Sequence, residues 1–161
     1  MAAVDYFIKF DGIKGESADA KHKDEIDVLS WSWGLAQSGQ VAQGGGGGAG
    51  KAHFQDLNFT HRVDKASPVL MTRCATGQHI KDATLTVRKA GEGQVEYLVI
   101  TMSDVLVTSV SDSGSAGGDG PIEDVTLAFA KVDLEYKPQK PDGSIDTGVH
   151  FAFDLKANKA G

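Results

Sequence analysis

The stretch closest to a chemical motif is Gly44 to Gly48 followed by Ala49, Gly50 and Lys51. Two glycines five residues apart ahead of a lysine match a phosphate-binding loop, in which backbone N–H groups cradle the phosphates and a Ser or Thr after the lysine holds magnesium. Ala52 stands where that hydroxyl belongs. The next residues, His53-Phe54-Gln55-Asp56-Leu57, read as a strand rather than the helix whose N-terminus should face the anion. Nucleotide binding is therefore not expected. The ordinary alternative is a flexible hairpin or a loop between subunits, because glycine takes positive φ at no steric cost. A second small, polar loop, Ser111 to Gly120, reads as a solvated connection.

The five histidines, His22, His53, His61, His79 and His150, show no pairing at ligand spacing, so no metal site is expected and they read as surface or strand-face residues. The acid pairs Asp24-Glu25 and Glu123-Asp124 sit at strand entrances and read as solvated charge. Ser, His and Asp are all present, but no nucleophile elbow arranges them. The single Cys74 can form no intramolecular disulfide, which fits a reducing compartment. No catalytic residue and no cofactor are expected.

The elements that must position these residues are mostly strands. Val4, Tyr6, Ile8 and Phe10 alternate with Asp5, Lys9 and Asp11, the period of a half-buried strand. The same alternation recurs around Leu85 and Val87 and over Val149 to Leu155. Longer strands are expected at Glu25 to Gln37, His53 to Val63, Val95 to Ser111, turning back at Ser103-Asp104, and Asp124 to Lys137. One helix is expected, with Ser67 as N-cap, Pro68 in the first position, Leu70 and Cys74 on its buried side and Gly77 closing it. At 161 residues the chain has the length of one domain, taken as residues 1–161.

In two long strands the apolar parity changes. Ile26 and Val28 give way to Leu29, Trp31 and Trp33, and Val125, Leu127 and Phe129 give way to Val132, Leu134 and Tyr136. A one-residue slip reverses every face, so a bulge sits there or both faces are covered, the latter by other subunits. A closed or nearly closed barrel removes the edges of so many strands. The formal charge of −6 with no basic patch argues against nucleic acid and anionic lipid as partners. No apolar run approaches the roughly 20 residues of a membrane-spanning helix. The N-terminus has neither the basic start nor the apolar core of a signal peptide.

In Leu29-Ser30-Trp31-Ser32-Trp33-Gly34 large apolar residues alternate with very small ones, so one face packs and the other stays smooth. Together with Tyr6-Phe7-Ile8-Lys9, Lys14-Gly15-Glu16-Ser17, Glu25-Ile26-Asp27-Val28-Leu29, the glycine run, Gln55-Asp56-Leu57-Asn58-Phe59-Thr60 and Val87-Arg88-Lys89-Ala90-Gly91, these residues resemble the Hcp family of type VI secretion. The blocks occur in order along nearly the whole chain, with the agreement weakest from Asp146 to Gly161.

The resemblance implies a mainly β fold, a β-barrel of two packed antiparallel sheets with one short α-helix. It implies homohexameric rings that stack into a tube, a contractile sheath and a spike as further partners, and small effector proteins carried in the lumen. It also implies a cytoplasmic protein that is then secreted, without a signal peptide, to the extracellular space or a target cell. Under it, Ser30 and Ser32 face the lumen and touch cargo, while Gly44, Gly45, Gly46, Gly47, Gly48 and Gly50 form a loop between rings or subunits. The alternatives are a specialised secreted effector carrier and a small β-barrel that binds a ligand. The last would need a convergent polar set inside an apolar cavity.

Overall fold

The structure is a computed structural model that describes residues 4–39, 51–91 and 93–161. Alternation along β1 (Val4–Phe10) drives Ile8 and Phe10 into the interior and leaves Lys9 outside. β1 lies antiparallel between β2 (Ile26–Ser32) and β6 (Ile80–Lys89). β2 pairs with β5 (Leu57–Arg62), β5 with β8 (Ile122–Tyr136), β8 with β7 (Glu96–Ser113), and β7 with β6. The sheet thus closes on itself as a six-stranded barrel. The two packed sheets expected from the sequence are the opposing walls of this one closed sheet. Closure leaves none of these strands with an unpaired edge along its whole length.

Four of the described strands lie outside the closed ring. β9 (Val149–Asp154) pairs with the second half of β8, and β10 (Lys159–Ala160) pairs with β9. β3 (Leu35–Ala36) and β4 (His53–Phe54) form a separate ribbon. Inside the barrel, Ile8, Leu57, Phe59, Leu85, Ile100, Met102 and Leu127 have no exposed surface. Burying each such side chain contributes about 1.5–3 kcal/mol, so the filled interior supplies most of the driving force for this topology.

The parity changes have two different physical solutions. In β2 the register against β5 shifts between Val28 and Ser30, so a bulge at Leu29 turns Trp31 inward while Leu29 is left 44% exposed. In β8 the change falls between Phe129 and Val132, where the pairing to β7 continues without a slip. No bulge is needed because β7 changes face at the same level: Met102 and Val105 are both fully buried although three residues apart. Asp104, between them, takes the left-handed φ of 55° that lets the strand make this turn of face. β8 also exchanges β5 for β9 as its outer neighbour across the same point.

Asp104 therefore bends one continuous strand, and the expected reversal at Ser103-Asp104 does not occur. The expected strand Glu25 to Gln37 is likewise divided, at Trp33-Gly34, into β2 and β3, and His53 to Val63 is divided into β4 and β5. Helix α1 (Ser67–Thr76) has Pro68 in its first turn and Gly77 in the left-handed conformation at its end, as the sequence indicates. Its N-cap is Ala66, not Ser67. Ser67 is already helical, and the orphan N–H of Ala66 is satisfied by Asp64 Oδ1 at 2.9 Å, while Ser67 Oγ accepts from Asp64 N. Asp64 has taken the capping task one turn upstream.

Candidate functional site

The bulge at Leu29 fixes which way Ser30 and Ser32 point. Both are exposed on the outer face of β2, while Trp31 and Trp33 pack towards the core. Trp31 meets Tyr6 edge-on at 6.5 Å between ring centroids. Trp33 lies just beyond the end of β2; its indole N–H donates to Gln55 O at 3.0 Å and its ring packs on Phe54, Phe129 and Phe151. The two tryptophans thus anchor the strand from one side and leave the other face to the serines.

Strand pairing extends that face into a wall. Ser30 lies opposite Thr60 and Thr60 opposite Asp124; Ser32 lies opposite Asn58, Asn58 opposite Thr126, and Thr126 opposite Ser109. Two parallel rows of small polar side chains therefore run across β2, β5, β8 and β7. They are tied to one another: Ser30 Oγ to Thr60 Oγ1 at 2.5 Å, Thr126 Oγ1 to Ser109 Oγ at 2.6 Å and to Thr108 Oγ1 at 2.7 Å, and Thr108 Oγ1 to Asp56 Oδ2 at 2.7 Å. Asn58 Nδ2 donates to Asp124 Oδ1. Periodicity could reveal this pattern strand by strand, but joining the rows needed the register.

Two buried clusters lie elsewhere. They correct the reading of His22 as a surface or strand-face residue and of Glu25 and Glu123 as solvated. They also place His61 on an inward strand face, whereas His53, His79 and His150 are exposed as expected. His61 and Glu123 are fully buried and joined at 2.8 Å through His61 Nε2 and Glu123 Oε1. Burial holds the Glu123 carboxyl above its ordinary range, and the neighbouring Asp112 pushes the same way. Burial likewise raises Asp64, which stands 3.9 Å from His61 Nδ1.

His22, nearly buried, stacks on Phe7 at 4.3 Å and bonds both Glu25 and Glu96. Next to it Arg88 bridges Asp5 and Asp19 at 2.9 Å, and its side-chain bond to Asp19 drives that carboxyl far below the carboxylate range. These clusters pin the loop between β1 and β2 against β6 and β7. The buried charges are paired, and Asp64, at the edge of the first cluster, lines a depression of about 330 Å³ with Glu16, Asp27, Leu29, Arg62 and Val63.

The glycines proposed as a loop between rings or subunits, Gly44 to Gly48 and Gly50, lie outside the described residues. The strand expected after them is present as β4. Among the described residues no group of three or more His, Cys, Asp or Glu side chains is arranged to hold a metal, and no helix is long and apolar enough to cross a membrane. A depression of about 390 Å³ lies outside the barrel against β7, β8, β9 and β10 and is lined by Thr101, Ser103, Lys131, Phe153 and Lys159 among others.

The sequence profile of the family described as "Type VI secretion system effector, Hcp" matches residues 7–136. The protein hcp1 of Pseudomonas aeruginosa is 55% identical over 158 residues, covering 97% of this chain and 98% of that protein. The chain belongs to the Hcp family. Among solved structures, Hcp1 from Salmonella typhimurium superimposes with a TM-score of 0.80 at 42% identity, over 99% of this chain and 100% of that one. A structure described as a type six secretion system protein reaches 0.92 at 31% identity, over 99% and 100%. This Hcp chain is thus a type VI secretion protein with the β-barrel of its relatives. The resemblance read from its sequence blocks is borne out over the barrel and extends to the weakly matching end.

Proposed function

We propose that this Hcp chain is the structural subunit of the type VI inner tube: it closes into homohexameric rings that stack, and it carries small effector proteins through the lumen. The observation that carries this reading is an apolar rim on a barrel whose own core is already filled. Tyr136 is 46% exposed and Val149, its partner across the β8–β9 pair, is 64% exposed. Tyr97 meets Tyr136 edge-on at 6.5 Å beside them. Aromatic and aliphatic groups that one barrel cannot cover are what a subunit contact uses, and a head-to-tail contact that closes makes a ring.

The polar wall supports the second half of the reading. A wall of small hydroxyl and amide side chains turned away from the barrel core suits a channel lining over which cargo slides, and Ser30 and Ser32 take the luminal role. The contractile sheath, the spike and release from the cytoplasm without a signal peptide belong to the same proposal and rest on family membership. So does the glycine loop as a contact between rings. A ligand-binding barrel finds no support in an interior occupied by Phe, Leu, Ile and Met side chains.

Ser32→Arg tests the lumen assignment. Ser32 is exposed, so its replacement changes stability by no more than about 0.5 kcal/mol, while a ring repeats the bulky charge around its channel. The expected result is intact rings by electron microscopy that no longer co-purify with small effectors. Unfolding, or unchanged co-purification, contradicts the assignment.

A further inference from the structure

Around Asp56 and Asn58 the wall has a property that its residue types alone do not reveal: the hydrogen-bond donors of Thr108, Thr126, Ser109 and Asn58 are spent within the protein. Thr108 has one hydroxyl hydrogen, and it goes to Asp56 Oδ2, which as a carboxylate can only accept. In the contact between Thr108 and Thr126 the hydrogen must therefore come from Thr126. That leaves Ser109 to donate to Thr126. The three hydroxyls form a one-way relay, Ser109 to Thr126 to Thr108, ending on Asp56.

Asn58 is committed in the same sense. Its Nδ2 group donates to Asp124 Oδ1 and to Val125 O, which uses both amide hydrogens and leaves Oδ1 free to accept. Between these fixed groups stand two carboxylates, Asp56 and Asp124, and among the described residues no wall side chain donates to the second oxygen of either and no Lys or Arg pairs with them. What this part of the wall offers a visitor is acceptors: carboxylate oxygens, an amide oxygen and hydroxyl lone pairs.

We propose that the wall selects protein cargo whose contact surface presents lysine and arginine side chains, which donate and cannot accept. This rests on the luminal reading and adds the chemistry of the partner. A cargo face rich in carboxylates or carbonyls meets acceptor against acceptor and like charge against like, so it is rejected as well as unrewarded. If the wall is repeated around a ring, the bias is multiplied without any new contact.

The test uses the full-length protein at whatever oligomeric state light scattering finds, with one small basic protein, lysozyme, and its succinylated, acidic derivative as probes of equal size. Binding is followed by interferometry from roughly 20 to 300 mM salt, a range across which exposed charges become screened. The wall predicts at least tenfold tighter retention of the basic form at low salt, with the difference shrinking as salt rises. The double variant Asp56→Asn with Asp124→Asn turns two acceptors into donors and should reduce the preference to threefold or less. Asp11→Asn with Asp146→Asn makes the same change in net charge on exposed residues outside the wall and should keep it.

Equal binding of the two probes, binding of neither, or equal loss in the two double variants overturns the proposal. The ring reading fails separately, when the mass shows a monomer, and the lumen reading fails when Ser32→Arg leaves cargo retention unchanged.

Discussion

A buried glutamate facing a buried histidine makes the sharpest residue-scale demand on this molecule. Glu123→Ala removes the partner of His61 and leaves its imidazole unsatisfied in the interior, a change expected to cost about 3–5 kcal/mol, measured as the loss of unfolding free energy in urea. Glu123→Gln keeps an acceptor for His61 and should cost less.

The pH dependence separates the two effects. A carboxyl raised by burial binds its proton more tightly in the folded than in the unfolded chain, so it favours folding below its unfolded pKa of about 4.3. That contribution fades as pH rises towards the folded value. The wild type should therefore lose stability across that window relative to Glu123→Gln, and parallel pH profiles for the two proteins would contradict the buried-carboxyl account.

Trp33, half-buried against three phenylalanines, should lose about 3 kcal/mol on truncation to Ala, the low end for an aromatic, seen as a lowered melting temperature. The anchoring role of Trp31 and Trp33 was legible in the alternation with serine. The burial of His22, His61 and Glu123 was not, because each is made tolerable by a partner far along the chain: Glu96 for His22 and Glu123 for His61.

At the scale of elements, sequence patterning located the strands and the helix but could not say how a change of parity would be resolved. Leu29 and Asp104 show two answers. The bulge at Leu29 is a local insertion against β5, and a parity count detects it. The turn of face at Asp104 is shared by β7 and β8, so their register does not slip at that level, and the polar Ser103-Asp104 pair resembles a reversal until the pairing is known.

Deleting Leu29 should remove the bulge and restore plain alternation, with Val28 and Trp31 still inward and Ser30 and Ser32 still outward. The barrel's circular dichroism should therefore persist, as it should in Leu29→Ser. Loss of soluble folded protein on deletion would contradict the bulge assignment. Gly15 sets a steric constraint. A Cβ there would stand 2.5 Å from Glu25 O and 2.7 Å from the Ile26 side chain, so Gly15→Ala must push the loop away from β2. The expected loss is about 1–3 kcal/mol, the cost of forcing extra volume into a packed site, read in thermal unfolding. At Gly77 the left-handed φ of 70° ends α1, a stop that the sequence placed correctly because only a residue without Cβ takes that conformation freely.

For the molecule as a whole, closure of six strands into a filled barrel explains why the apolar rim is left over. The interior is already filled, and Tyr136 and Val149 remain exposed, Val149 the most of any large apolar side chain among the described residues. The barrel fold and the family were legible in the sequence blocks, whereas the wall was not, because its rows exist only once β2, β5, β8 and β7 are in register.

The central claim is that the rim is a contact between copies, and the molar mass of the purified protein by light scattering tests it most directly. At tens of micromolar, where an association of roughly −6 to −7 kcal/mol becomes populated, the account predicts a discrete mass of six chains, which Val149→Lys with Tyr136→Lys reduces to that of one folded chain. A wild type that remains strictly monomeric across that range would contradict it.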